Sequence, residues 1–430
     1  MKRIMIANRL NDAIANERVL IISNNVLSKT NNNGKTILSY IDKIPPQNVR
    51  QLYFSSEIPQ VFGYSFFRLS DTDVLKGKFA PSKRGKALKK ENEEVADDNI
   101  NKYHKEYSTW MRLGRELLWL WSWKSKQLIQ WLDEFLPTVV FFVAGDCVFA
   151  YDIYRYIVGK YNVKSAVYLT DDYIMPRAKD SNIDKFRRSL IKRNMRKAIK
   201  ISDNFFTIST QMQDTYYRIF DRKSEILVNM TECLKRDNIA PSERYTFIYA
   251  GSLYYGRDIM LRKLVEALEL YNKKGEKKQA ILKIYSNNMP SNESLQHLNK
   301  KGISDFCGKI DYEQLIIEYN KANVLVFVES YDESCIEKTK YSFSTKIPEY
   351  LSLGKPILAI GPREVSSMDF LKECSLCVYP EGNINRCVEK LIDDEQYCNM
   401  LSNKASDLYL AKLAKRILQK DFLQKLFLLP

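Results

Sequence analysis

The residues best suited to chemistry lie together in one stretch, residues 343–362. Ser344, Thr345 and Lys346 stand directly before a short apolar helix, and Glu349 falls in its first turn. Gly354 then ends that helix, and residues 356–360 read as a buried strand. Backbone N–H groups at a helix start, helped by the Lys346 ammonium, suit a pyrophosphate. Glu349 is placed to accept hydrogen bonds from ribose hydroxyls. A second stretch follows the strand at residues 245–250: Gly251 and Ser252 form its turn, and Gly256 and Arg257 open the next helix. The glycines permit close backbone approach, and Arg257 offers a forked cation. Both stretches follow strands of one sheet and are expected at the same carboxyl edge, facing one ligand. This is the chemistry of holding a nucleoside diphosphate.

The N-terminal half offers carboxylates at the corresponding places. Asp146 ends a strand over 138–144, and Asp171 and Asp172 end a strand over 165–169. Carboxylates there can orient or deprotonate a hydroxyl; the plainer role is capping a turn. Asn33, Gly34, Lys35 and Thr36 tempt a triphosphatase reading, but a phosphate loop needs glycine at position 29, where Lys29 stands. The segment still lies between a first strand and a first helix, where ligands of such sheets bind, so Asn33, Gly34 and Lys35 are kept as substrate-side residues. The dinucleotide fingerprint GxGxxG is absent. Cys374 and Cys377 form the only CxxC pair; a strand follows it, and it reads as buried thiols. His104 and His297 read as solvated, and no spacing suggests a metal ligand.

These residues must be positioned by two domains, since 430 residues exceed one ordinary core. Strands alternate with helices in both halves, which argues an α/β chain of two doubly wound, Rossmann-like units. The expected boundaries are 1–230 for the first domain, 231–243 for a linker, 244–404 for the second domain and 405–430 for an amphipathic helix. Residues 76–100 change from basic to acidic and read as a solvated insertion. All five tryptophans fall in residues 110–131. Trp110, Leu113, Leu117, Trp121, Leu128 and Trp131 follow helical spacing, which predicts one long helix packed by that stripe, with Trp119 and Trp123 pointing elsewhere. Residues 185–200 form a strongly basic helix with Phe186, Leu190, Ile191, Met195 and Ile199 on one face.

Composition bounds the partners. The formal charge of +15 favours a polyanion, either nucleic acid or an anionic membrane surface. No recognition module supports nucleic acid. The basic helix and the tryptophan segment suit an anionic membrane surface. No apolar run is long enough to span a bilayer, and no export signal is read. Together with the eight cysteines, read as reduced thiols, this implies a cytoplasmic protein, peripheral on the inner face of the plasma membrane.

Across nearly its whole length the chain resembles the GT-B glycosyltransferases, particularly the family-4-like bacterial enzymes of surface polysaccharide synthesis. The resemblance rests on residues 249–268 and 343–362, with support from residues 168–173 and 307–310. It implies a second domain that holds a nucleotide-sugar donor and a first domain that holds a glycan or lipid-linked acceptor, facing each other across a cleft. It also implies roles. Gly251 and Ser252 resemble the glycine turn near the diphosphate, Arg257 a neutralising cation, and Gly308, Lys309 and Ile310 the loop contacting the base. Ser344, Thr345 and Lys346 take the phosphate-side helix start, and Glu349 matches the second glutamate of the family's pair. The first would fall at Tyr341, which removes that carboxylate. Relatives often carry arginine where Ser252 stands, which leaves Arg257 and Lys346 as the phosphate cations. No cofactor and no metal are implied. A nucleotide-sugar epimerase of the same fold, or a non-catalytic basic binding protein, is the competing reading.

Overall fold

The computed structural model describes residues 2–29, 32–80, 84–89, 108–120, 122–275, 278–379 and 383–428. The chain forms two units: residues 1–228 with 419–430, and residues 229–418.

Unit 1 is built from α1 (Lys2–Asn16), β1 (Val19–Ser23), α2 (Asn32–Ile41), β2 (Val49–Tyr53), β3 (Ser65–Arg68), α3 (Asp71–Phe79), β4 (Lys86–Lys89), α4 (Thr109–Trp119), α5 (Lys126–Phe135), β5 (Val139–Ala144), α6 (Val148–Tyr161), β6 (Lys164–Leu169), α7 (Asn182–Ile201), β7 (Asn204–Thr207), α8 (Thr210–Phe220) and β8 (Glu225–Ile226). The sheet order is β4-β3-β2-β1-β5-β6-β7-β8. Every pairing is parallel except β3 with β4. Every residue of β1 is buried, as expected for a parallel strand covered on both faces. Strand order reverses between β1 and β5, so the loops after these strands frame the crevice where such sheets bind ligands.

Unit 2 contains β9 (Tyr245–Ala250), α9 (Arg257–Lys273), β10 (Ala280–Tyr285), α10 (Asn292–Leu298), β11 (Ser304–Gly308), α11 (Tyr312–Lys321), β12 (Val324–Val328), α12 (Glu333–Thr339), α13 (Lys346–Leu353), β13 (Ile357–Ile360), α14 (Ser366–Leu371), β14 (Leu376–Val378), α15 (Ile384–Asp393) and α16 (Glu395–Leu408). Its parallel sheet runs β11-β10-β9-β12-β13-β14. Order reverses here between β9 and β12. Both sheets therefore carry the doubly wound pattern expected from the strand–helix alternation. Among the described residues no helix is long and apolar enough to cross a membrane.

Several sequence expectations change. Residues 231–243, expected as a linker, belong to unit 2: Leu234 N–H donates to Ser352 Oγ at 3.3 Å, and Arg236 N–H to Asn320 Oδ1 at 2.9 Å. The C-terminal segment is not one helix from residue 405. Helix α16 ends at Leu408, a wide turn spans Tyr409–Leu413, and α17 (Lys415–Phe427) follows. The end of α17 packs on unit 1: Phe422 lies against Tyr40, Phe141 and Phe206, and Gln419 donates to the Ser39 carbonyl at 2.8 Å. Residues 86–89 of the charged stretch pair as a lysine-bearing edge strand, a sequence type that discourages further pairing. Residues 90–107, with His104, lie outside the described residues.

The tryptophan segment is two helices, α4 and α5, because Ser125 caps a new start by accepting from Leu128 N–H at 3.2 Å. The buried stripe is also different. Trp119 is fully buried, stacked on Phe149 with ring centroids 3.7 Å apart, whereas Trp110 is 70% and Leu117 71% exposed. Trp123 and Trp131 are buried; Trp121 lies outside the described residues. Charge partners decide the facing. Arg112, Arg115 and Glu116 find buried or half-buried partners on unit 1 and turn α4 inward on its polar side. In α7 the residues Ile191, Met195 and Ile199 are buried as expected, but Phe186 is exposed.

Candidate active site

In unit 2 the singled-out residues gather at the carboxyl edge of the sheet. The turn after β9 is tight: Gly251 N–H donates to Tyr285 O at 3.0 Å, and the Tyr249 hydroxyl donates to Ser252 O at 2.6 Å. The Ser252 hydroxyl accepts from Tyr254 N–H at 3.2 Å. Gly256 adopts φ +67°, and a Cβ there would lie 2.7 Å from Ser330 Oγ, so glycine is required. Arg257 opens α9 and donates from Nη2 to both oxygens of Glu329, at 2.9 and 3.0 Å. Glu329 directly follows β12, across the point where strand order reverses. Burial raises the Glu329 carboxyl above its ordinary range despite Arg257. Burial alone would lower the Arg257 guanidinium, but the Glu329 charge and the other surrounding groups carry the net shift upward.

Lys346, at the start of α13, donates to Glu349 Oε2 at 3.0 Å, and the Tyr312 hydroxyl donates to Glu349 Oε1 at 3.1 Å. Burial opposes the charge on Lys346, yet Glu349 and its hydrogen bond hold its pKa above the ordinary value. Tyr312 begins α11 immediately after the loop of Gly308, Lys309 and Ile310, so that loop and α13 are joined through one carboxylate. Gly308 takes φ +68°, and Lys309 is exposed. Gly354 closes α13 with φ +59°, as the sequence predicts.

The backbone at the start of α13 is less open than expected. Lys346 N–H already donates to Ser344 Oγ at 3.3 Å, Ile347 N–H to Ser344 O at 3.2 Å, and Pro348 has no N–H. Ser344 N–H donates to Ser367 Oγ at 3.0 Å. Thr345 makes no capping bond.

Tyr249, near the end of β9, holds the turn that follows it through its bond to Ser252 O. Its hydroxyl is buried, which raises its pKa, and the charges of Arg257 and Lys346 work against that rise. Glu329, Tyr249 and Tyr312 were not singled out in the sequence. For Glu329 a signal existed: an acid placed directly after the apolar run of β12.

In unit 1, Asp146 sits at the reversal of strand order, after β5. Arg187 donates to its Oδ2 at 2.9 Å and Arg112 at 3.2 Å. Burial would raise the carboxyl, but the two guanidinium groups outweigh it and lower the pKa. An acid held ionised in this way is a weak base and a strong anchor. Asp172 is also occupied: its Oδ1 accepts from Tyr216 Oη at 2.7 Å and from the N–H groups of Ile174 and Met175, both at 3.2 Å. Asp171 is exposed on the same loop. Asn33, Gly34 and Lys35 stand on the first turn of α2, which begins earlier than the sequence suggests. A Cβ at Gly34 would lie 2.3 Å from Val26 O, so this glycine serves close packing of the helix start on the loop after β1. Asn33 donates to Asn25 Oδ1 at 3.3 Å.

No family model matches the chain. No curated protein matches it by sequence. Solved structures do match. Trehalose-6-phosphate from E. coli bound with UDP-2-fluoro glucose aligns with a TM-score of 0.63 and 9% identity, covering 96% of this chain and 100% of the other. The UDP-forming alpha,alpha-trehalose-phosphate synthase from Burkholderia xenovorans, in complex with glucose-6-phosphate, aligns at 0.61 and 9%, covering 95% and 99%. HepE from Anabaena, in complex with UDP and glucose, aligns at 0.60 and 10%, also covering 95% and 99%. At such identities the likeness is one of fold, and it extends over almost the whole chain. The chain has the GT-B glycosyltransferase fold, built from two Rossmann-like parallel-sheet units.

Proposed function

We propose that this protein is a glycosyltransferase that moves a sugar from a nucleoside-diphosphate donor to a hydroxyl of a glycan or lipid-linked acceptor. The reading includes a hexosyl donor and a place in cell-surface polysaccharide synthesis at the cytoplasmic face of the membrane. The observation that carries it is a pair of cations held by carboxylates in unit 2, Arg257 on Glu329 at 2.9 Å and Lys346 on Glu349 at 3.0 Å, at the start of α9 and of α13. Each cation is held by a buried carboxylate, Glu329 or Glu349, and is thus fixed in direction before any ligand arrives. Fixed positive charge aimed at a departing diphosphate stabilises the transition state without reorganisation.

In this reading the diphosphate lies against Arg257, Lys346 and the hydroxyls of Ser344 and Thr345, with Gly251 and Ser252 beneath it. Glu349 meets the ribose, and Gly308, Lys309 and Ile310 border the base. Asp171 takes the acceptor-side role, with Asp146 and Asp172 positioning the loops around it, and Asn33, Gly34 and Lys35 border the acceptor. The UDP complexes of the structural neighbours make uridine the first base to try.

The test is a thermal-shift screen of nucleoside diphosphates and their sugars, followed by incubation of the stabilising donor with and without acceptor glycans. Selective stabilisation by one diphosphate and acceptor-dependent release of it are expected. Stabilisation by none would remove the donor site, and product formed from donor alone would favour an epimerase.

A further inference from the structure

Helix α4 is built inside out. Its polar side chains face the protein: Arg112 pairs with Asp146 at 3.2 Å, Arg115 pairs with Asp71 at 2.7 Å, and Glu116 accepts from Val148 and Phe149 N–H at the start of α6, at 2.9 and 3.1 Å. Three of its apolar side chains face out, while Trp119 at its end is buried. Trp110 is 70% exposed, Met111 55% and Leu117 71%. Gly114, between them on the same face, has none of the described residues within 4 Å of where a Cβ would stand. A surface helix ordinarily shows the reverse pattern.

Helix α7 runs beside α4 in the same direction. Thr109 at the start of α4 bonds Asp184 at the start of α7, and the far ends of both helices line one cavity of about 360 Å³. Leu117, Trp119, Trp123 and Phe149 form its apolar wall; Arg193 and Lys197 line it from α7, opposite Glu116 and the Asp152–Arg155 pair. Along α7 the exposed residues include Phe186, Lys185, Arg193, Lys197 and Lys200. Among the described residues none of these four cations has a carboxylate partner, unlike Arg187 and Arg188 on the same helix. An aromatic and aliphatic ridge lying beside free lysine and arginine is complementary to an anionic interface. The apolar groups enter the headgroup boundary while the cations meet phosphates. The net charge of the whole chain attracts it to the same surface.

We propose that the outward face of α4 and α7 docks on an anionic lipid bilayer, with Trp110, Met111 and Leu117 inserted and Lys185, Arg193, Lys197 and Lys200 on lipid phosphates. This gives the membrane-bound location a defined surface, and it rests on unit 1 rather than on donor chemistry in unit 2.

The experiment is co-sedimentation of the full chain with phosphatidylcholine vesicles, with and without about one third phosphatidylglycerol. Binding to the anionic vesicles alone is expected. Each cation at such a surface strengthens binding about fivefold, so Arg193→Glu with Lys197→Glu should weaken it by more than about tenfold. Trp110→Ser with Leu117→Ser should weaken it similarly and leave the melting temperature and nucleotide affinity unchanged, since both side chains face solvent. Absence of binding, equal binding to neutral vesicles, or undiminished binding by both variants would overturn the proposal. So would a dimer in sedimentation velocity that Trp110→Ser dissolves, because the face would then belong to a second copy. Retained nucleotide binding alongside lost vesicle binding separates this proposal from the transferase reading.

Discussion

Arg257 and Glu329 meet across the reversal point of the second sheet, one guanidinium nitrogen serving both carboxylate oxygens at 2.9 and 3.0 Å. Glycines admit the pair. A Cβ at Gly361 would stand 3.0 Å from Glu329 Cβ, and one at Gly256 would stand 2.7 Å from Ser330 Oγ. Removing one partner strands the other in a buried site. Arg257→Met should destabilise the protein by about 3 kcal/mol or more, read from urea unfolding. Adding Glu329→Gln should recover most of that loss without restoring diphosphate affinity. A single variant as stable as wild type would show that the pair contributes nothing to the fold.

Lys346 and Glu349 are expected to report on the ligand directly. Lys346→Ala and Glu349→Ala should each weaken nucleoside-diphosphate binding by about tenfold or more in titration calorimetry, the scale of a lost charge-assisted contact. Glu349→Gln should have a smaller effect, because it keeps an acceptor for Tyr312. Unchanged affinity in both alanine variants would move the nucleotide away from α13.

The three aspartates of unit 1 should separate by role. Asp171→Asn should lower kcat by about 10²–10⁴ with little change in donor KM, the span of a lost general base. Equal turnover would leave Asp171 without a catalytic role. Asp146→Asn should act on stability instead. The Asp146 carboxyl is held below its ordinary value, so its contribution is present above about pH 4 and is lost as pH falls through the folded pKa. Unfolding followed between about pH 5 and pH 3 should show a shallower loss in the variant than in wild type.

Lys355 gives a basic-limb prediction. Burial, and then Lys235, lower its ammonium to about 8. Between about pH 8 and pH 10.4 the unfolded chain binds more protons than the folded one, so stability should rise with pH across that window. Lys355→Met should remove the slope and be more stable than wild type at pH 7. A variant with the wild-type slope would show that Lys355 titrates as an ordinary lysine.

Much of the fold was legible along the chain. The apolar runs of β1, β5, β6, β9, β10 and β12 are local features, and parallel strands buried on both faces leave little other reading. The glycines at 256 and 354 likewise announce turns whose left-handed backbone glycine adopts most easily, and Gly251 a turn where a Cβ would stand 2.9 Å from the Tyr249 hydroxyl. The two cationic turns could therefore be named, and their shared sheet edge follows from the alternation of strands and helices.

Facing and partnership were not legible. A helical stripe says which residues lie together, but not whether that stripe meets the core. In α4 it faces outward, because Arg112, Arg115 and Glu116 find partners on elements distant in sequence. Asp146 looked like a free carboxylate until Arg112 and Arg187 were brought beside it, and the α13 backbone looked open until Ser344 and Pro348 were seen to occupy or remove its N–H groups. Spacing along the chain therefore determined the elements and the residue types at their ends. Tertiary structure alone decided which charges are neutralised and which faces meet water, since those depend on groups that approach from elsewhere in the fold.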